Sequence, residues 1–236
     1  NDDVGLLLPA FGINANDKAL GRMSSALTHE LNQPLTGLRT LLTTNELLAE
    51  RGETEMMKAN NVLVQKLIDR MASMTSQLKT FAYNKPERLQ EISLTTALEE
   101  TLRVYQSQLE NVDVRVRVPH DLPNIMGEEQ RLLQVLGNLV SNALDAMDQT
   151  DNPQLSLIVN PTENQVELLV SDNGCGVSDE MLESMFEPFQ TSKKIGKGLG
   201  LGLAITANNM RDMGGSISVR INHSKGLSFE LIFIAA

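Results

Sequence analysis

His29 and Glu30 stand side by side in LTHELNQPL, an imidazole next to a carboxylate. Exposed to solvent, such a pair is a nucleophile with an acid/base partner, able to form and release a bond at a ring nitrogen. A second set lies in GNLVSNALDAM, where Asn138 and Asn142 are one helical turn apart in a polar row with Gln134 and Asp145. Amide oxygens so spaced can ligate a hard cation such as Mg2+, which takes oxygen donors together with substrate phosphates. In LLVSDNGCGV, Asp172 closes an apolar run and is followed by Gly174 and Gly176. A carboxylate there can accept a hydrogen bond from an exocyclic amine such as that of adenine, and the glycines let backbone approach a flat ligand.

A fourth set, GKGLGLGLAITANNM, alternates Gly196, Gly198, Gly200 and Gly202 ahead of a helical pattern. Bare N–H groups and a helix N-terminus suit phosphate. The stretch is not a P-loop, because Gly198 follows Lys197 where that motif needs Ser or Thr. Singly, each set has an ordinary reading: a surface histidine, a solvated helix face, a common Asp-Asn-Gly turn, a glycine-rich loop. His120 and His223 lie in turn-like sequence without neighbours that suggest chemistry.

The elements that must position these groups are legible from periodicity. Leu20, Met23, Leu27, Leu31, Leu35, Leu38, Leu41, Leu42 and Leu48 recur in threes and fours, predicting one long amphipathic helix. On that helix His29 lies about 200° from Leu27 and from Leu31, off the apolar stripe, with Gln33 one turn on. Pro34, one residue later, lacks the N–H for the Glu30 carbonyl and is expected to bend or loosen the helix there. Gly52 is a C-cap candidate and Thr54 an N-cap candidate, after which Met56, Asn60, Leu63, Leu67, Met71, Met74, Leu78 and Phe81 continue the spacing. Two long helices with so short a turn form an antiparallel hairpin, whose second apolar seam is best covered by dimerisation into a four-helix bundle.

Asn84, Lys85 and Pro86 end that pattern, and the texture changes to mixed α and β. A helix near 94–109, alternation over Val112–Val118, a helix at 128–147, strands near 155–159 and 166–171, a helix through Met213 and a hairpin of 216–221 with 227–234 predict a helix layer on one mixed sheet. This divides the chain into a linker at 1–17, a helical domain at 18–86 and an α/β domain at 87–236.

Thirty acidic against 20 basic residues, a net charge of −10, argue against non-specific binding to nucleic acid or an anionic membrane. Aromatics are 3% and Trp is absent, so the core is aliphatic with help from 11 Met. The single Cys175 excludes an intramolecular disulfide and suits a reducing compartment. GLLLPAFGI is too short to cross a membrane, which takes about 20 apolar residues, and the Asn1 start predicts further sequence upstream.

Together the motifs resemble the cytoplasmic core of the sensor histidine kinases of two-component signalling, over nearly all of residues 18–236. HELNQP (29–34) resembles the phosphoacceptor box, NLVSN (138–142) the N box, DNGCG (172–176) the G1 box, FEPF (186–189) the F box and GLGLGLAI (198–205) the G2 box. The wording of HELNQPL and NALDAM is closest to the nitrogen-fixation and dicarboxylate-sensing branch. The resemblance implies a dimeric helical bundle followed by a GHKL (Bergerat-type) α/β sandwich. It implies that ATP phosphorylates His29 with Glu30 as acid/base partner, that Asn138 and Asn142 hold Mg2+ and phosphates, and that Asp172 binds adenine. Phe186 and Phe189 would flank a lid, 190–197, with Lys193, Lys194 and Lys197 reaching phosphate. Asp145 stands where many relatives carry a basic residue, a contact the resemblance leaves to the lid lysines or Arg131. Leu199 replaces a frequent Thr and Gln33 the usual Thr or Asn.

The implied partner is a separate response regulator, and the implied place is the cytoplasmic side of an inner-membrane sensor, with any membrane segments upstream. Two other classes share parts of the pattern. GHKL ATPases carry a glutamate where Asn138 stands, and an amide cannot act as general base for water. A nucleotide-binding dimeric scaffold without phosphotransfer is disfavoured by the His29–Glu30 pair.

Overall fold

The computed structural model of the chain describes residues 18–82, 88–191, 200–222 and 225–236, and within the first span the backbone alone at 18–27, 29, 30, 73, 77 and 80–82. These residues fall into two compact units, one of 88–187 with 202–236, the other of 18–82 with 188–191 and 200–201.

The helical hairpin consists of α1 (Lys18–Glu50) and α2 (Thr54–Ala82). Pro34 sits inside α1, buried, and the helix runs through it unbroken. Gly52, with φ of +71°, ends α1: Glu53 N–H donates to the Leu48 carbonyl at 2.9 Å and Gly52 N–H to that of Ala49 at 3.1 Å, a Schellman closure. The Glu53 carbonyl accepts the first α2 bond, from Met57, so Thr54 stands one residue inside the helix instead of capping it. Across the hairpin, Asn45 donates to the Asn61 amide oxygen at 2.9 Å and accepts from Asn60 at 3.0 Å. Leu48 and Met74 are buried, whereas Leu35, Leu42, Met56, Leu63 and Ile68 remain exposed on the single chain.

The α/β unit runs β1 (Gln90–Ile92), α3 (Leu94–Val104), α4 (Gln106–Leu109), β2 (Asp113–Arg117), β3 (Ile125–Gly127), α5 (Glu129–Met147), β4 (Gln154–Pro161), β5 (Gln165–Asp172), α6 (Asp179–Ser184), α7 (Gly202–Asp212), β6 (Ser216–Ile221) and β7 (Leu227–Ile234). Five strands make one sheet in the order β2-β4-β5-β7-β6, parallel between β2 and β4 and antiparallel elsewhere. β1 and β3 form a separate antiparallel pair. Period-two burial on β5 points Val166, Leu168 and Val170 to one face, where α5 packs with α3 and α7 on either side. The α5 stripe Leu132, Leu136, Leu139, Ala143 and Met147 meets them. Each such leucine contributes about 2 kcal/mol by burial, which fixes the rotation of α5 about its axis and hence which residues it shows on its other faces.

The helix expected at 94–109 breaks at Tyr105, whose φ of −93° and ψ of 7° separate α3 from α4. The Tyr105 hydroxyl donates instead to the Gly137 carbonyl on α5, at 3.2 Å.

Candidate functional site

Two anchor points place the chemistry of the α/β unit. The first is the seam between α5 and α7. Arg131 pairs with Glu128 and, at 2.5 Å, with Asp212 near the end of α7. Its guanidinium pKa is raised; burial works against the charge, and the two carboxylates outweigh it. One turn on, Gln134 accepts from the Asn209 amide at 3.0 Å. Asn138 follows, its Nδ2 donating to the Gly202 carbonyl at 3.1 Å and to the Thr206 hydroxyl at 3.3 Å. Half of the polar row read from the sequence is therefore bonded to α7. With the Asn138 nitrogen so engaged, its Oδ1 is the atom left to meet a cation, and an uncharged oxygen donor on a rigid helix fits Mg2+. Asn142 lies one turn further along, and Asp145 belongs to the neighbourhood of Tyr105. The Tyr105 phenol pKa is raised by burial first and by the Asp145 charge, against a hydrogen bond with Ser141. Arg131, tied to Glu128 and Asp212, is already neutralised where the sequence offered it as a substitute phosphate contact.

The second anchor point is Asp172, at the C-terminal end of β5 and 7% exposed. Its carboxylate accepts from the Gly174 N–H at 2.8 Å and from the Leu227 N–H. Burial raises its pKa, and these two N–H groups oppose the shift. The turn that follows is seated on α5: Cys175 N–H donates to the Ala146 carbonyl at 3.0 Å, and a Cβ on Gly174 would lie 2.6 Å from that same oxygen. Only glycine permits this approach, so the sequence that reads as a ligand-facing glycine also locks Asp172 to the asparagine helix. On the other side Asn222, after β6, donates to the Asp172 carbonyl at 2.9 Å and accepts from Ser228, which shares a 2.7 Å hydrogen bond with Ser171. Asn173 bridges to Gln154 and Asn152, at 2.8 Å each. Gly174 stands out in the sequence, but the contacts of Asp172 with Asn222 and Leu227 and of Asn173 with Asn152 and Gln154 do not, because those partners come from elements remote in sequence.

His29 and Glu30 lie on α1, in the other unit, and their side chains are outside the described residues. Lys193, Lys194, Lys197, Gly196 and Gly198 are outside them as well, as is His223. His120 is exposed. Gly176 has φ of +68°, and Gly202 opens α7. Phe186 meets Phe229 edge-on at 6.5 Å. Phe189 and Gly200 both take left-handed backbone, φ of +66° and +65°, and the Phe189 N–H donates to the Gly200 carbonyl at 3.0 Å.

A helix layer on a mixed sheet, with a buried carboxylate at a strand end locked to an asparagine-bearing helix, is the arrangement of a nucleotide-binding domain. Residues 127–235 match the family of histidine kinase-, DNA gyrase B-, and HSP90-like ATPases. Over 88% of its length the chain is 37% identical to the C4-dicarboxylate transport sensor protein DctB of Pseudomonas aeruginosa, of which it covers 34%. It thus spans about a third of that relative. The catalytic domain of histidine kinase ThkA matches 63% of this chain and 99% of its own length, with 25% identity and a TM-score of 0.57. ThkA in complex with the response regulator protein TrrA matches 93% of this chain and 63% of its own, with 21% identity and a TM-score of 0.75, a likeness of fold. Over most of its length the chain is similar to sensor histidine kinases, and over its α/β unit to their catalytic domains.

Proposed function

We propose that this chain phosphorylates its own His29 with the γ-phosphoryl group of ATP and passes that group to an aspartate of a separate response regulator. The observation that carries the reading is the buried Asp172, fixed by Gly174 and Cys175 to the helix that bears Asn138 and Asn142. Asp172 accepts the exocyclic amine of adenine, and the amide oxygens of Asn138 and Asn142 hold Mg2+, which offsets phosphate charge when bound. Gly174, Gly176, Gly198, Gly200 and Gly202 supply close backbone approach, Lys193 reaches phosphate, and Phe189 and Asp145 border the site. A ring nitrogen of His29 attacks the γ-phosphorus, the bond to the β-phosphate oxygen breaks, ADP leaves, and Glu30 takes the imidazole proton. Such transfer needs mainly alignment and charge neutralisation, and an asparagine at 138 offers no general base for water.

Residues 18–86 serve as the dimerisation and phosphotransfer domain, 87–236 as the ATP-binding domain and 1–17 as a linker. The exposed Leu35, Leu42, Met56, Leu63 and Ile68 support a homodimer closed as a four-helix bundle. Among the described residues no helix is long and apolar enough to cross a membrane. We place the chain on the cytoplasmic side of an inner-membrane sensor. That ThkA was solved with a response regulator supports the partner.

The test is incubation with γ-labelled ATP and Mg2+. Acid-labile, alkali-stable label that His29→Gln abolishes, and that moves to a receiver domain, is the expected result. Label on Ser or Thr, or none despite bound ATP, overturns the reading.

A further inference from the structure

We propose that Thr206 is a positioning residue for the cation-binding amide of Asn138, an inference that rests on the reading of Asn138 given above. Thr206 lies in the second turn of α7 and is 0% exposed. Its one hydroxyl proton goes to the Gly202 carbonyl at 2.9 Å, the usual bond of a helical threonine to the residue four earlier. The hydroxyl oxygen is then an acceptor only, and it receives the Asn138 Nδ2 at 3.3 Å. The same Nδ2 reaches the Gly202 carbonyl at 3.1 Å. The two ends of an amide differ in what they can bind: the nitrogen donates, and the oxygen accepts or ligates. Flipping Asn138 would set its oxygen against a carbonyl oxygen and against a hydroxyl whose proton is committed, with both hydrogen bonds lost. Thr206 therefore holds the nitrogen inward against α7 and keeps Oδ1 for the cation. A residue that never touches nucleotide or metal thus sets which end of the amide does.

Valine has the shape of threonine without the hydroxyl. It removes one of the two acceptors that hold Nδ2 and leaves Gly202 alone to orient the amide. The measurement is calorimetric titration of the nonhydrolysable analogue AMPPNP into the full chain, with Mg2+ and with EDTA, for wild type, Thr206→Val, Thr206→Ser and Thr206→Ala. We expect Mg2+ to raise the affinity of wild type and Thr206→Ser equally. In Thr206→Val that gain should fall by about fivefold, the effect of one hydrogen bond, with the EDTA affinity unchanged. Thr206→Ala removes the hydroxyl with less bulk and should lose the same gain, which keeps the test decisive if the valine variant unfolds. A wild-type gain retained by the variants lacking the hydroxyl, or a loss equal in EDTA and Mg2+, overturns the inference. A wild type whose affinity is the same in both conditions overturns the metal reading of Asn138 along with it, while His29 labelling reports separately on the kinase reading.

Discussion

Asp172 is a carboxylate that the fold keeps where water would suit it better. Burial raises its pKa above the ordinary value, so the native state holds the proton more tightly than the unfolded chain does. Stability from this group is therefore greatest at acid pH and falls as pH rises from the unfolded pKa through the folded one. Asp172→Asn has no such titration. Its melting temperature relative to wild type should climb as pH rises above the ordinary aspartate pKa of about 4, while nucleotide affinity is lost. A relative melting temperature that drops as pH rises would count against the burial account. The residues proposed to meet nucleotide and cation stand out in the sequence because that chemistry demands particular types at fixed spacing: Asn138 with Asn142, Asp172 with Gly174. Their supports were not. Gln134 reads as one more exposed polar residue until Asn209 is placed opposite it, and Thr206 reads as an ordinary helical threonine.

The long helices were legible as elements because a period of 3.6 sustained over eight turns leaves little choice. The three-residue strands β1 and β3 are too short to show alternation, and α6, only six residues long, has too few turns for a stripe. Parallel pairing of β2 with β4 follows from the crossover through α5, which no local pattern encodes. The hairpin helices also carry a polar device that periodicity misreads. Asn60 falls on the apolar seam by spacing, yet it exists to meet Asn45, which also binds Asn61. A polar contact at one level of a helix pair specifies register, because a slip by one turn leaves the amides unmatched. Asn45→Ala should lower the stability of the hairpin by roughly 1 kcal/mol, read as a shift in denaturant midpoint. An unchanged midpoint would mean that the three amides are as well served by water.

At the scale of the whole molecule, the change of texture at Pro86 divided the chain into helical and α/β parts, while how strands order within the sheet awaited the structure. The helical part leaves apolar side chains uncovered at Leu42 and Leu63, more than half and nearly half exposed. A chain so built should sediment at twice its own mass, and the double variant Leu42→Glu, Leu63→Glu should sediment as a monomer with its α/β unit still folded. A monomeric wild type would remove the bundle. The bond between Phe189 and Gly200, with left-handed backbone on both sides of it, has a different kind of consequence. It ties a neck around the residues between them, so the ends of that segment are already closed whatever its length. Lengthening a closed loop costs only a logarithm of its residue count. Adding residues between these two ends therefore leaves the cost of closing them almost unchanged.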